Sequence, residues 1–313
     1  MKKRPLGGTG LAVSEISFGG WQLGNDDSWE GLDRETSLAL VHAALDAGIT
    51  LFDTAPNYGA GESERILGLA LEGRRDEVVL VSKFGHRRDG PKDFTTGGFF
   101  ERLGGSLERL RTDHVDVLLL HNPPAEIYEG TDPIWEALDE ARERGMIRHY
   151  GASLDVAAEI EACLSNTGSE VLEIFFNILH QDVRRAFPLA REKQTGLIAK
   201  IPLDSGWLTG KYDAGSRFEG VRSRWSDEEI ARRAELVEQL GWLTEDGSPL
   251  ACKAIAYCLS YDEVSCVIPG TRTMAHLQGN LAAAGCSIDP EERMRLEAFW
   301  DEFTGGGREL LPW

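Results

Sequence analysis

Four polar residues stand at the ends of short apolar runs, or just beyond them: Asp53, Tyr58, Lys83 and His121. A phenol has a pKa of about 10, so it protonates a carbonyl oxygen efficiently only when a neighbouring cation increases its acidity. Lys83 could provide that cation, Asp53 could compensate the buried ammonium, and His121 could hydrogen-bond the substrate oxygen. Each residue alone could be structural, Asp53 as a turn residue and Lys83 as a solvated charge. Together they predict general acid–base chemistry on a carbonyl group.

Reduction of a carbonyl also needs an electron source, and side chains cannot supply a hydride. The sequence has neither the glycine-rich fingerprint of a dinucleotide-binding βαβ unit nor a P-loop. A phosphate site is predicted instead directly after the last apolar run, at Gly270, Thr271 and Arg272. Arg272 could neutralise a pyrophosphate or a 2′-phosphate, or it could be an ordinary surface arginine at a helix start.

Eight short apolar runs alternate with amphipathic segments of helical length, which indicates βα units around a parallel sheet. Eight such units, with no linker rich in Pro, Gly or Ser, favour a single (β/α)8 TIM barrel over residues 1–313, and the alternative is a doubly wound open sheet. In a barrel the C-terminal strand ends form one mouth, where the four polar residues can converge. The predicted strands are 15–20, 51–55, 78–84, 115–121, 147–153, 173–179, 197–203 and 264–270.

Further segments lie outside the eight units. The glycines within 7–10 predict an N-terminal β-hairpin that seals the barrel floor. A capping box at 226–229 and a cap–proline–acid start at 289–292 predict two extra helices. The loop at about 204–226 is longer than ordinary connections and is predicted to be a lid. The tail at about 303–313 is predicted to be either a hinged flap or a frayed end.

The composition is that of a globular protein, with 42% hydrophobic and 27% charged residues in 313. Asp and Glu number 52 against 33 Lys and Arg, a net charge of −19, which disfavours nucleic acid and membrane partners. No apolar stretch resembles a membrane span or a signal peptide. The five cysteines show no CxxC pair and no zinc-ligand spacing. We therefore expect a cytoplasmic protein with reduced thiols, a small-molecule substrate and no metal; the sequence carries no signal for an oligomeric state.

Three segments resemble a known family. Residues 53–59, DTAPNYG, contain Asp53 and Tyr58; Lys83 ends the third strand; and residues 118–122, LLLHN, contain His121. In order and context they are similar to the Asp-Tyr-Lys-His tetrad of the aldo-keto reductases, and the resemblance covers essentially the whole chain. It implies a (β/α)8 barrel that binds NADP(H), or less often NAD(H), with Tyr58 as general acid in reduction and base in oxidation.

The resemblance also implies binding residues. The loop 206–212, GWLTGKY, is similar to the family segment that wraps the cofactor pyrophosphate, and 270–272, GTR, is similar to its adenosine-phosphate segment. The implied cofactor-binding residues are Ser153, Glu173, Lys200, Pro202, Leu203, Gly206, Leu208, Lys211, Gly270, Thr271, Arg272, His276 and Asn280. The implied substrate-binding residues are Trp21, Asn122 and Trp207, with Trp29 and Trp313 as further aromatic walls.

Some of these positions depart from the commoner pattern of the family. Glu173 stands in place of a Gln that binds the carboxamide, and Lys200 in place of an aromatic residue that stacks on nicotinamide. The charge of Glu173 should attract the oxidised ring, and the charge of Lys200 should repel it. His276 and Gly279 replace a common Arg and Glu, so a preference for NADP would depend mainly on Arg272.

The leading hypothesis is an NADP(H)-dependent oxidoreductase that reduces an aldehyde or ketone to the alcohol, with Tyr58 as the proton donor. One alternative is an NAD(P)-dependent sugar or aldose dehydrogenase that runs in the oxidative direction. Another is a cofactor-binding regulatory subunit without catalysis, because channel-associated β subunits also resemble this family. The intact tetrad favours an enzyme.

Overall fold

An antiparallel hairpin begins the chain and closes one end of a barrel. Its strands are β1 (Lys3–Pro5) and β2 (Ala12–Ser14). Leu6 and Val13 are fully buried and pack among the inward-facing residues of the barrel strands. Burial of such side chains stabilises the fold by about 1.5–3 kcal/mol each. The predicted hairpin, and its predicted position under the barrel, are confirmed.

Eight parallel strands form the barrel, which is nearly closed. The structure is a computed structural model, and it describes residues 1–24, 32–87 and 90–313. Each strand pairs with the next along the chain, and two isolated parallel bridges, Ile16 to Val267 and Gly19 to Gly270, join the first strand to the last. The strands are β3 (Phe18–Gly19), β4 (Leu51–Asp53), β5 (Val79–Phe84), β6 (Val115–His121), β7 (Ile147–Leu154), β8 (Val171–Phe175), β9 (Gly196–Lys200) and β10 (Val264–Ile268). The predicted TIM barrel is therefore confirmed.

Helices surround the barrel and bury the outer faces of the strands, which explains why the strands are continuous apolar runs. Asp33 caps the first helix by accepting from the backbone N–H of Thr36. The helices are α1 (Arg34–Asp46), α2 (Glu62–Ala70), α3 (Phe99–Leu110), α4 (Ala125–Tyr128), α5 (Ile134–Glu143), α6 (Ala157–Asn166), α7 (Phe187–Glu192), α8 (Asp227–Glu238), α9 (Leu250–Leu259), α10 (Met274–Ala282) and α11 (Pro290–Thr304). None of the described helices is both long enough and apolar enough to cross a bilayer.

The two predicted extra helices are α8 and α11. Ser226 and Glu229 form the capping box that starts α8. Asp289 and Glu292 form another at the start of α11, with Pro290 as its first residue. In each pair, the side chains satisfy backbone N–H groups that the first helical turn leaves without partners.

Five predicted strands end earlier than expected. Those over 51–55 and 264–270 end two residues early, at Asp53 and Ile268, and the other three differ by three residues or more at one end. The first barrel strand was expected over 15–20 but is only Phe18–Gly19. The strand expected over 173–179 ends at Phe175, because Asn177 Oδ1 accepts from the backbone N–H groups of Leu179 and His180 and forms a turn. The strand expected over 197–203 ends at Lys200, since the next residue has a left-handed φ of 54°. Beyond these ends, Phe176, Ile178 and Leu179 are buried without belonging to a strand, and Ile16 forms only an isolated bridge.

The long loop over 204–226 contains two 3₁₀ turns, Asp204–Thr209 and Gly220–Arg224. Asp204 is fully buried and forms an ion pair with the fully buried Arg233 of α8, with 3.3 Å between Oδ2 and Nε. The start of the loop is thus anchored to α8, one of the extra helices.

The C-terminal tail folds back over the barrel mouth. Arg233 donates a hydrogen bond to the carbonyl of Pro312. The ring centroid of Trp313 lies 4.9 Å from that of Phe175, which ends β8, and 6.4 Å from that of Trp225. The tail is therefore packed against the mouth and against the long loop.

Candidate active site

The four predicted catalytic residues meet at the C-terminal end of the barrel. Asp53 ends β4, Lys83 lies near the end of β5 and His121 ends β6, so parallel pairing brings them to one edge. Lys83 Nζ forms an ion pair with Asp53 and donates to the carbonyl of Thr54 at 3.2 Å. Lys83 Nζ lies 5.2 Å from the Tyr58 ring centroid, which is 5.9 Å from that of His121.

A tight turn after β4 positions Tyr58. Gly59 and Gly61 have φ values of 56° and 87°, a left-handed region that favours glycine. The Trp21 ring stacks on the Tyr58 ring, with 5.9 Å between centroids. The phenol is therefore held by backbone geometry on one side and by an indole on the other.

The electrostatics of the cluster keep the phenol protonated and the imidazole neutral. Burial raises the pKa of Tyr58, and although Lys83 opposes this, the carboxylates of Asp53 and Glu173 reinforce it. Burial, reinforced by the charge of Lys83, holds the pKa of His121 well below its usual value. At neutral pH, Tyr58 can thus donate a proton, and His121 can hydrogen-bond without carrying charge.

Glu173 joins the catalytic cluster directly. Its Oε2 atom lies 3.1 Å from Lys83 Nζ, and its Oε1 atom accepts a hydrogen bond from Ser153 Oγ at 3.2 Å. Register between β7 and β8 places Glu173 opposite Ser153. The sequence predicted a contact of Glu173 with the cofactor; the structure adds a second carboxyl group on the catalytic lysine.

The positive charge of Lys200 is compensated within the site. Lys200 Nζ lies 2.8 Å from Asp155 Oδ1, and it donates to Ser153 Oγ at 2.8 Å and to Asn122 Oδ1 at 3.3 Å. Asn122 in turn donates to Asp155 at 2.7 Å. The expected repulsion between Lys200 and an oxidised nicotinamide is therefore weakened by Asp155.

A cavity of about 560 Å³ opens beside this cluster at the mouth of the barrel. Its volume is in the range of small-molecule and cofactor sites. Residues of the tetrad, of the long loop, of α10 and of the tail contribute to its walls. The predicted site residues that line it are Trp21, Asp53, Tyr58, His121, Asn122, Glu173, Lys200, Pro202, Leu203, Gly206, Lys211, Gly270, Arg272, His276, Asn280 and Trp313.

Cationic side chains collect at the other end of the cavity. Lys211, Arg222 and Arg272 line this end together with His276. Burial lowers the pKa of the His276 imidazole, and the three positive charges lower it further. The protein carries a net charge of −19, so a cluster of positive charges is opposite in sign to the protein as a whole. Lys and Arg donors beside the N-terminus of α10 suit an anion such as a pyrophosphate or phosphate. The residues present therefore fit a dinucleotide that spans the cavity.

Gly206 allows the long loop to turn along this cavity. Its φ of 100° follows two further left-handed residues, Asp204 at 44° and Ser205 at 53°. A side chain at position 206 would be strained in this conformation. The backbone can thus approach a bound ligand closely here.

Five predicted residues do not line the cavity. Lys83 and Ser153 are buried, and both contact Glu173, which does line the cavity. Thr271 and Leu208 are buried, and Thr271 accepts from Asn280 at 3.1 Å. Trp207, expected to contact substrate, is fully buried within the loop.

The ring centroid of Trp207 lies 5.5–6.0 Å from those of Tyr212, Phe218 and Trp225, so the indole forms the core of the loop rather than a wall of the cavity. Its apolar surface packs against other residues of the loop. Trp29 lies outside the residues that the structure describes.

Sequence reasoning missed several cavity residues, among them His86, Asp155 and Arg222. His86 stacks on His121 with 4.1 Å between ring centroids, and burial with nearby lysine charges lowers its pKa to about 4. Asp155 pairs with Lys200, and Arg222 joins the cationic end. Asp155 follows β7 directly and lies two residues past the predicted strand end at 153, so a search two residues past each predicted strand would have found it. Arg222 has no such signal.

The fold is a (β/α)8 barrel with its candidate site at the C-terminal ends of the strands, and the comparisons with known proteins give its class. A model of the aldo/keto reductase family matches residues 15–301. The chain belongs to this family and is an NAD(P)H-dependent oxidoreductase.

Individual relatives span nearly the whole chain. A probable voltage-gated potassium channel subunit beta from Oryza sativa subsp. japonica is 33% identical over 95% of this chain and 96% of its own. An NADH-specific methylglyoxal reductase from Escherichia coli is 28% identical over 92% of this chain and 95% of its own. The holo structure of an aldo-keto reductase from Bacillus halodurans is 27% identical, covers 96% of both chains and has a TM-score of 0.80.

Proposed function

We propose that this protein reduces an aldehyde or ketone to the alcohol, with NADPH as the preferred electron donor and Tyr58 as the general acid. The observation that supports this most is the position of Tyr58: its ring lines the cavity, beside an ammonium that is held by Asp53. The bound cofactor would supply hydride from its nicotinamide ring. The residues of this chain then have to bind it, orient the carbonyl and move one proton.

The proton transfer follows from the geometry of the tetrad. Lys83 stabilises negative charge on the phenol oxygen as Tyr58 gives its proton to the carbonyl oxygen. Asp53 compensates the buried ammonium and fixes its position. Neutral His121, across from the Tyr58 ring, orients the same carbonyl oxygen by a hydrogen bond.

Cofactor binding divides between the two ends of the cavity. At the tetrad end, Glu173, Lys200, Pro202 and Leu203 line the cavity where the nicotinamide would lie. The buried Ser153 would position Glu173 and Lys200 through its hydroxyl. The remaining proposed cofactor residues are Gly206, Leu208, Lys211, Gly270, Thr271, Arg272, His276 and Asn280.

The preference for NADPH depends on Arg272, with Arg222 as a second cation beside it. The Escherichia coli relative is named as NADH-specific, so NADH is the alternative to test. Trp21 and Asn122 are the proposed contacts for the substrate, which is a small carbonyl compound or a sugar.

A panel of aldehydes, ketones and sugars tests the proposal. Initial rates are measured for reduction of each carbonyl compound with NADPH and NADH, and for oxidation of each corresponding alcohol with NADP⁺ and NAD⁺. Carbonyl reduction with NADPH should be the fastest of these reactions. Tyr58→Phe should lower turnover at least the roughly 10²-fold expected of a lost general acid, because only the hydroxyl is removed. Its affinity for NADPH should stay within a few-fold of the wild type.

Three results would contradict the proposal. Retained activity of Tyr58→Phe on the best substrate would remove the role of the phenol. Tight nucleotide binding without turnover of any panel member would instead favour a regulatory subunit, as the name of the rice relative suggests for that protein. Faster turnover of sugars with NAD⁺ would favour the oxidative dehydrogenase.

A further inference from the structure

Two buried carboxyl groups share a single ammonium in the catalytic cluster. Lys83 Nζ contacts a carboxyl oxygen of Asp53 and lies 3.1 Å from a carboxyl oxygen of Glu173. The side chains of Lys83, Asp53 and Glu173 are 0%, 4% and 3% exposed. The tetrad described above needs one carboxylate on the lysine, so Glu173 is a surplus acid at the centre of the site.

Within residues 1–24, 32–87 and 90–313, the other groups around this cluster do not provide a second compensating charge. Lys200 pairs with Asp155 and reaches Glu173 only through the hydroxyl of Ser153. His121 faces the cluster across the Tyr58 ring and is neutral at physiological pH. Tyr58 itself stays protonated.

One buried cation cannot stabilise two ionised carboxylates at such short range, because like charges in a poorly solvated site raise each other's pKa. We propose that Asp53 and Glu173 share one proton around Lys83 in the cofactor-free protein, and that this proton is released when an oxidised, positively charged nicotinamide ring binds. In agreement, burial and the charge of Glu173 raise the pKa of Asp53 well above its usual value. This inference depends on the nicotinamide site of the proposed function.

The release should be specific to the oxidised cofactor. Asp53 and Glu173 both line the cavity next to Tyr58. The carbonyl carbon and oxygen are adjacent atoms, so the ring that reduces the carbon must lie beside the phenol that protonates the oxygen. An oxidised ring adds a positive charge there, whereas the reduced ring is neutral. Only the oxidised ring can replace the shared proton.

In turnover, this proton would restore Tyr58. Tyr58 gives its proton to the carbonyl oxygen as the carbon accepts the hydride with its two electrons. Lys83 then returns a proton to the phenolate. The Asp53–Glu173 pair, which now faces a cationic ring, gives its proton to Lys83, and solvent reloads the pair after the oxidised cofactor leaves. Glu173 thus acts as a positioning and proton-holding residue through Lys83.

Calorimetric titration of the whole protein with NADP⁺ and with NADPH tests the inference. Each titration is done at one neutral pH in Mops and in Tris, whose different ionisation enthalpies report the protons released. The wild type should release more protons with NADP⁺ than with NADPH, by a sizeable fraction of one proton. Both nucleotides carry the 2′-phosphate, so any protons that its binding releases or takes up cancel in the difference between the two titrations. If neither binds, the same titrations are made with NAD⁺ and NADH.

Three variants identify the source of the proton. In Glu173→Gln the difference between the two nucleotides should disappear, while both still bind. Glu173→Asp keeps a second carboxyl group and should keep part of the difference. Glu126→Gln removes one exposed negative charge from α4, at the same end of the barrel, and should release as many protons as the wild type.

The outcomes separate this inference from the proposed function. Equal proton release with both nucleotides in the wild type would overturn the shared proton, and so would an unchanged difference in Glu173→Gln. In both cases the cofactor site would stand, because the nucleotides bind. Failure of all four nucleotides to bind the wild type would overturn the proposed function and this inference together.

Discussion

The buried ion pair between Asp204 and Arg233 should be a major determinant of stability at the barrel mouth. Asp204 Oδ1 also lies 3.3 Å from His180 Nε2, and Arg233 donates to the carbonyl of Pro312 in the tail. Burial alone would raise the pKa of Asp204, but the close contact with His180 and the charge of Arg233 hold it below its usual value. Asp204→Asn keeps the shape of the side chain and removes its charge.

The magnitude follows from the complete burial of both side chains. Loss of one partner leaves the Arg233 guanidinium without its compensating charge, which typically costs 3–5 kcal/mol. That is a large part of the roughly 5–15 kcal/mol by which folded domains are stable. We expect the free energy of unfolding to fall by about 3 kcal/mol or more. Asp204→Asn with Arg233→Met should lose less than Asp204→Asn alone, because no unpaired charge remains.

Urea-induced unfolding, followed by far-UV circular dichroism and tryptophan fluorescence, measures this difference. Glu235→Gln is the matched control: it breaks an exposed ion pair with Arg232 on the same helix, at 2.8 Å, and should cost at most about 1 kcal/mol. The reasoning is refuted if Asp204→Asn is no more destabilising than Glu235→Gln. It is equally refuted if the double variant is less stable than Asp204→Asn.

Two further predictions concern the cofactor and pH. Arg272→Ala should weaken NADP⁺ binding by roughly 10- to 100-fold, because a hydrogen bond to a charged group contributes about 1.5–3 kcal/mol. NAD⁺ binding should weaken much less. Equal losses of affinity for the two nucleotides in equilibrium titrations would show that Arg272 does not bind the 2′-phosphate. The folded pKa of Asp204 is lowered, so its stabilising contribution is present above the ordinary carboxyl pKa of about 3.9 and is lost as the pH falls through the folded value. Urea unfolding at stepped acidic pH should therefore show a smaller loss of stability in Asp204→Asn than in the wild type; parallel losses would contradict this.

The strand-end residues could be predicted from the sequence because their position in the chain fixes their position in the barrel. Asp53, Lys83 and His121 each follow an apolar run, and parallel pairing then leaves little freedom in where they meet. The pairing of Glu173 with Lys83 could not be predicted, since it depends on side-chain conformations across the barrel interior rather than on strand order.

Residues in loops were predicted less well, for physical reasons that differ from case to case. The indole of Trp207 is a side chain that often lines a cavity, but it can equally fill the core of a loop, as it does here. The apolar residues after Phe175 are buried in a turn that Asn177 stabilises. Their apolar sequence pattern is therefore the same as that of a buried strand. His86 comes only three residues after Lys83, and nothing in its surroundings distinguishes it from a solvated histidine.

Transfer of deuterium from NADPH that carries deuterium in both C4 positions to a carbonyl substrate is the decisive measurement for the proposed reduction. The wild type should place deuterium on the carbinol carbon of the product, at a rate that Tyr58→Phe reduces at least about 10²-fold without loss of NADPH binding. Saturating NADPH that binds but transfers no deuterium to any aldehyde, ketone or sugar of the panel would contradict it.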